Sequence, residues 1–288
     1  ITVSEGAVEA REVETSRRVA GLASIAVHGL VTVPRTATVL GTSGYAVWLL
    51  VEKSVVVVST SDATRLPIGI EIPVAAADDP CKSVAHGAEV ELGWNRVMLE
   101  GLSVHVARWW DPRPALPGMT VAQLDAAIAG LPTTPPDVPG ERLGAALALC
   151  SPIALLTAAE PLVGKGAGLT PEADDYLAGA LASTRLLSEA LNHQPGTAML
   201  DRAARLIVEL ADARTTRLSA ALIQHALLGR VAAPAGTLLR ALTGRGEVTA
   251  AHQSLIEVGH SSGPALAAGI VLGAQSIVQF LSDTERRW

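Results

Sequence analysis

A chain of 288 residues can hold one large domain or two ordinary ones, each with a substantial core. Its apolar share of 49%, drawn mostly from Ala, Val and Leu with one Phe and two Tyr, excludes a disordered chain and favours small-residue helices beside a Val/Ile-rich sheet. The net charge of -6 provides no basic field for nucleic acid, and Cys81 and Cys150 form no Cys-x-x-Cys or Cys/His cluster, as expected of reduced core residues.

In chain order, the first stretch, "ITVSEGAVEAREVETSRR", is polar and mixed in charge, without the apolar core of a secretory signal. A cytoplasmic protein is the expectation. "SIAVHGLVTV", "GYAVWLLV", "SVVVVST", "IGIEIPV", "AEVEL", "RVMLE" and "LSVHVARW" then read as strands, punctuated by turns such as "SDATRLP" and "LGWN". Their close spacing predicts an antiparallel sheet or a small barrel. The prolines of "RWWDPRPALPG" end the pattern, which places a β-rich domain at residues 1–112 and a helical domain at 113–288, an α+β chain.

Thr120 and Gln123 form a capping-box pattern at the first helix. Further helices are predicted around 140–159, 171–191, 197–211, 213–229, 234–243, 247–258 and 262–283. The longest apolar run, "LAAGIVLGAQSIVQFL", is short and carries Gln275 and Gln279, so it reads as a buried helix rather than a membrane span.

Three loops carry the candidate chemistry. "GKGAGLTPEADDYLAG" runs from Gly164 to Gly179 and puts glycines and Lys165 before a helix start. Gly164, Gly166 and Gly168 would let backbone amides approach an anion, and Thr170-Pro171 reads as a cap followed by the first helical residue. The stretch is neither a P-loop, since Ala159 and Gly166 occupy required Gly and Ser/Thr positions, nor a Rossmann turn, since it follows a helix. Asp174 and Asp175 point about 100° apart on the helix, so at least one must face the interior and needs partners. Leu177 and Leu181 define the core side, with Asp174 the nearer to it. The simplest alternative is a packed interhelical turn followed by a helix with acidic first turns.

In "ARTTRLSAALIQHALLG", Thr215 and Ser219 are four apart, as on one helix face, with Thr216 between them. Their hydroxyls would bind i-4 carbonyls or a ligand. In "GHSSGPALAAG", His260, Ser261, Ser262 and Gly263 precede another helix start, where a Ser cap competes with an anion site holding one titratable imidazole.

"GKGAGLTPEADDYLAG", "TTRLSAALIQHALLG" and "VGHSSGPALAAG" together resemble the signature segments of the AllH-type subunit of oxamate carbamoyltransferase, G-x-G-x-G-L-T-P-S-G-D-D foremost. "ARWWDPRP" is similar to the stretch that ends that family's β domain. The resemblance spans most of the α domain and the junction, whereas the strands match only in general character. It implies carbamoyl transfer between oxalurate and phosphate, giving oxamate and carbamoyl phosphate, in purine or allantoin nitrogen catabolism. It also implies partner subunits. On that reading Asp174, Asp175 and His260 are the catalytic candidates. Lys165, Gly166, Gly168, Thr170, Thr215, Thr216, Ser219, Ser261, Ser262 and Gly263 would hold an anionic substrate and phosphate. No cofactor is implied; Mg²⁺ on Glu172, Asp174 and Asp175 belongs to an alternative reading as a metal-dependent hydrolase, and a non-catalytic scaffold is a third. The chain departs from the family pattern at Glu172-Ala173, where Ser-Gly is usual, and a carboxylate there disfavours phosphate at this helix N-terminus.

Overall fold

The computed structural model describes residues 16–131 and 140–286, so the reading of the extreme N-terminus lies mostly outside the described residues. Eight strands are described: β1 Arg17–Ser24, β2 Arg35–Thr42, β3 Ala46–Val51, β4 Ser54–Ser59, β5 Gly69–Glu71, β6 Glu89–Gly93, β7 Arg96–Leu99 and β8 Leu102–Trp110. They close into a barrel in the order β1-β5-β4-β3-β2-β6-β7-β8. The expected barrel is therefore present, but it is mixed rather than antiparallel, because β1 pairs in parallel with β8 and β4 in parallel with β5. Closure by a parallel pair joins the two ends of the β segment and leaves no open edge.

The reading of "SIAVHGLVTV" as a strand is corrected. Ser24 closes β1 and accepts a hydrogen bond from the Ala26 N–H, and a single 3₁₀ turn then leads into α1, His28–Thr32. Val27 and Val31, four apart, are the buried residues of this segment. That is a helical period, and burial outweighed the β preference of the valines.

The helices are α2 Val121–Ile128, α3 Glu141–Ala148, α4 Pro152–Ala159, α5 Glu172–Ala190, α6 Gln194–Arg214, α7 Arg217–Leu227, α8 Ala233–Leu242, α9 Val248–Ile256 and α10 Ser262–Glu285. The single helix expected at 140–159 is two, because Cys150 takes a left-handed φ of 48° and Ser151 caps a new start at Pro152. The Thr120–Gln123 capping box is formed from both sides.

The long helices α5 and α10 pack in close contact, and α10, although long and apolar enough to cross a membrane by length and composition, has half of its apolar window buried. Glycines permit the approach. A Cβ at Gly269 would stand 2.1 Å from the Tyr176 carbonyl oxygen, and one at Gly179 2.3 Å from that of Leu266. We expect Gly269→Ala to cost about 3 kcal/mol in chemical denaturation, since backbone must shift on both helices; an unchanged midpoint would contradict this packing. The same contact brings the N-terminal turns of α5 and α10 together.

The helical layer also covers the barrel. Val55 to Val58 of β4 are all at most 2% exposed, because one face looks into the barrel while Leu218 and Leu222 of α7 pack with the barrel core. A strand buried on both faces reads as a continuous valine run. The layers are further tied by the Ala233 N–H donating to the Arg65 carbonyl and the Val231 N–H to that of Pro112.

Candidate functional site

The glycine loop folds back on its own helix. The Ala173 N–H, in the first turn of α5, donates to the Lys165 carbonyl, and a Cβ on Gly166 would lie 2.7 Å from the Glu172 nitrogen. The loop thus sits over the helix start, which is why Gly166, with φ of 128°, must be glycine. Thr170 does not cap α5. Pro171 is the N-cap residue, and its carbonyl accepts from the Asp174 and Asp175 N–H groups.

The anion that this segment holds is its own Asp174, only 1% exposed. Its Oδ1 accepts from the Gly164 N–H at 2.8 Å, and its Oδ2 from the Ser219 hydroxyl at 2.7 Å and from the Thr215 hydroxyl. These contacts correct the reading of Thr215 and Ser219 as residues on one helix face bonding i-4 carbonyls. Thr215 terminates α6, Ser219 lies in α7, and both turn to the carboxylate. Thr216 caps α7 through the Ser219 N–H and also donates to the Leu169 carbonyl, which fixes the end of the loop.

Asp175 is different. It is 7% exposed, and its Oδ2 is buried without a hydrogen-bond partner among the described residues. Burial pushes its carboxyl up to about 7; the Ser262 and Thr170 hydroxyls act against this, while the Asp174 and Glu172 charges add to it. Those two hydroxyls lie 3.0 Å apart and join the start of α5 to the start of α10. Ser262 opens α10, but neither it nor Ser261 makes the expected side-chain cap. Gly263 lets the chain turn tightly there, since a Cβ would meet the Leu255 carbonyl oxygen at 2.2 Å. Ser262→Ala should move the Asp175 midpoint above 7 in a pH titration of the carboxyl resonance. A downward move would contradict the assigned role of that hydroxyl.

Asp175, Thr170, Ser262 and Gly263 line a cavity of about 340 Å³ between the barrel and the helices, a size suited to a small molecule. The barrel contributes Trp48, Val57 and Leu66, and the helices Leu218, Leu222 and Leu266. Arg230 lines it as well, and among the described residues no carboxylate pairs with its guanidinium. Arg230 is close enough to half-buried His225 to help hold that imidazole down at about 4, where burial is the larger cause.

Of the residues singled out by sequence, the structure brings Thr170, Asp175, Ser262 and Gly263 to one cavity. Thr215, Thr216 and Ser219 buttress the loop through Asp174 and Leu169. Lys165, Gly166, Gly168 and His260 are exposed, and they and Ser261 are not among the lining residues. Among the described residues no group of three His, Cys, Asp or Glu side chains has the arrangement of a metal site, so Glu172, Asp174 and Asp175 do not form the triad of the hydrolase reading.

The three helical motif segments fall inside a longer match, whereas "ARWWDPRP" at the junction lies outside it. Residues 162–274 match the family model of oxamate carbamoyltransferase subunit AllH. The AllH match begins two residues before Gly164 and runs through α5 to α10, so it takes in every helical residue of the cavity and none from the barrel. No curated protein and no solved structure matches the chain.

Proposed function

We propose that this chain is the substrate-binding subunit of a carbamoyltransferase of the oxamate type, acting with partner subunits on an N-carbamoyl acid and phosphate in the cytoplasm. The observation that carries the reading is Asp175, a residue of the AllH-matching segment whose carboxyl has an oxygen without a partner among the described residues, is pushed up to about 7 by burial, and faces the cavity between barrel and helices. With oxalurate, an oxygen of hydrogen phosphate attacks the carbamoyl carbon and the bond from that carbon to the oxamate nitrogen breaks. The proton of hydrogen phosphate must then reach that nitrogen, giving oxamate and carbamoyl phosphate. A carboxyl titrating near neutral pH both accepts and delivers such a proton efficiently. In this scheme Asp175 carries it, the Thr170 and Ser262 hydroxyls orient the carboxyl, and Arg230 holds the substrate carboxylate. The step uses no cofactor.

The test is to assay the purified chain, alone and with partner subunits, for carbamoyl phosphate from phosphate and either oxalurate or another N-carbamoyl acid. Turnover that depends on this chain and drops at least a hundredfold in Asp175→Asn is expected. No turnover in any combination, alongside an active reference complex, would contradict the proposal.

A further inference from the structure

The cavity wall is chemically ill matched to oxalurate. That ion is polar over nearly its whole surface, whereas the wall is mostly apolar, with Trp48, Val57, Leu66, Leu218, Leu222 and Leu266 among its side chains. Seating amide and carbonyl groups against such a wall would strip them of water and return few hydrogen bonds. The polar groups are few: the Asp175 carboxyl with its Thr170 and Ser262 hydroxyl neighbours, the Arg230 guanidinium, and the Ser59 and Thr64 residues on the barrel side. Asp175 is 93% buried by its 7% exposure and has one oxygen without a partner among the described residues, so the site offers a hydrogen-bonding point that those residues leave unfilled. An apolar chamber with one cation and one such carboxyl is complementary to a ligand with one carboxylate, one amide-like group and an apolar body.

We propose that the cavity selects an N-carbamoyl carboxylic acid with an apolar side chain, of the class of N-carbamoyl-leucine, over oxalurate. The carbamoyl group meets Asp175, the carboxylate meets Arg230, and the side chain fills the space against the leucines. This rests on the carbamoyltransferase reading for the carbamoyl group alone; the apolar body and the carboxylate follow from the cavity wall and from Arg230. The departure at Glu172-Ala173 from the family pattern is consistent with a change of substrate.

Calorimetric titration of the full chain with oxalurate, N-carbamoylglycine, N-carbamoyl-leucine and N-acetyl-leucine tests it. Each buried methylene is worth about fourfold in affinity, so N-carbamoyl-leucine should bind at least tenfold more tightly than N-carbamoylglycine, and oxalurate most weakly. Arg230→Gln, with folding checked by thermal melting, should weaken all four acids at least tenfold while keeping their order. Oxalurate binding as tightly as N-carbamoyl-leucine, or no binding of any acid at millimolar concentration, overturns the inference. Equal binding of N-acetyl-leucine and N-carbamoyl-leucine would sink the carbamoyl assignment and the carbamoyltransferase reading with it, while leaving the apolar acid site standing.

Discussion

Asp175→Asn is expected to stabilise this protein at pH 8 by about 4 kcal/mol, an amount that shrinks toward zero as the pH falls to 4. A carboxyl whose folded value is about 7 and whose unfolded value is near 3.8 binds more protons in the native state throughout that window. Stability therefore falls as the pH rises through it, and the penalty is complete above about pH 7. The displacement corresponds to about 4 kcal/mol. Asparagine has nearly the same shape and no charge to desolvate, so its stability lacks this slope. Urea denaturation of both proteins at pH 4, 6 and 8 checks it, and parallel stability curves would contradict the burial assigned to Asp175. A group that destabilises the fold when ionised, yet lies in the wall of a cavity, has the economy of a functional residue rather than a structural one.

Its neighbour should behave in the opposite way. Asp174→Ala leaves the Gly164 N–H and the Thr215 and Ser219 hydroxyls without their acceptor in a buried setting. Each orphaned donor costs about 1–3 kcal/mol, so a loss of about 4 kcal/mol or more is expected at pH 8. Asp174→Asn retains one acceptor oxygen and should lose roughly half as much. Denaturation midpoints of the two variants report this directly. A loss below about 1 kcal/mol for Asp174→Ala would mean that the carboxylate does not hold the glycine loop. With the expected loss, the two adjacent aspartates differ in sign: Asp174 stabilises the loop, and Asp175 costs stability at the cavity.

That division was only half legible in the sequence. The glycines, Thr170 and the acidic pair marked the segment, and helix geometry required an interior-facing aspartate. It was natural to place a foreign anion in the loop, because sequence shows donors but not which carboxylate reaches them. Thr215 and Ser219 come to Asp174 from more than forty residues away, and no local pattern announces that contact. Arg230 was missed for a related reason. It follows a left-handed Gly229 at the end of α7, where a cation is an ordinary helix-terminating residue, and only the folded barrel makes it part of a cavity wall.

Six of the eight barrel strands were legible, but β1 and β2 were not among the runs read as strands, and the mixed pairing that closes the sheet was not legible at all. β1 begins with Arg17-Arg18, and its main partner β8 lies some eighty residues on in parallel register, so neither hairpin spacing nor alternation reveals the pairing. Conversely, the valine run of β4 was recognisable as a strand, yet its burial on both faces required knowing that α7 lies across it. The apolar character of the cavity arises from that same apposition.

The claim on which the site rests is that Asp175 is a buried carboxyl exchanging its proton near neutrality at the cavity wall. A ¹³C titration of the aspartate carboxyl resonances in the wild-type chain and in Asp175→Asn measures this most directly. The account predicts one resonance with a midpoint near 7 that is missing from the variant. If every aspartate carboxyl instead titrates below pH 5, Asp175 is an ordinary solvated carboxylate and the site assignment is wrong.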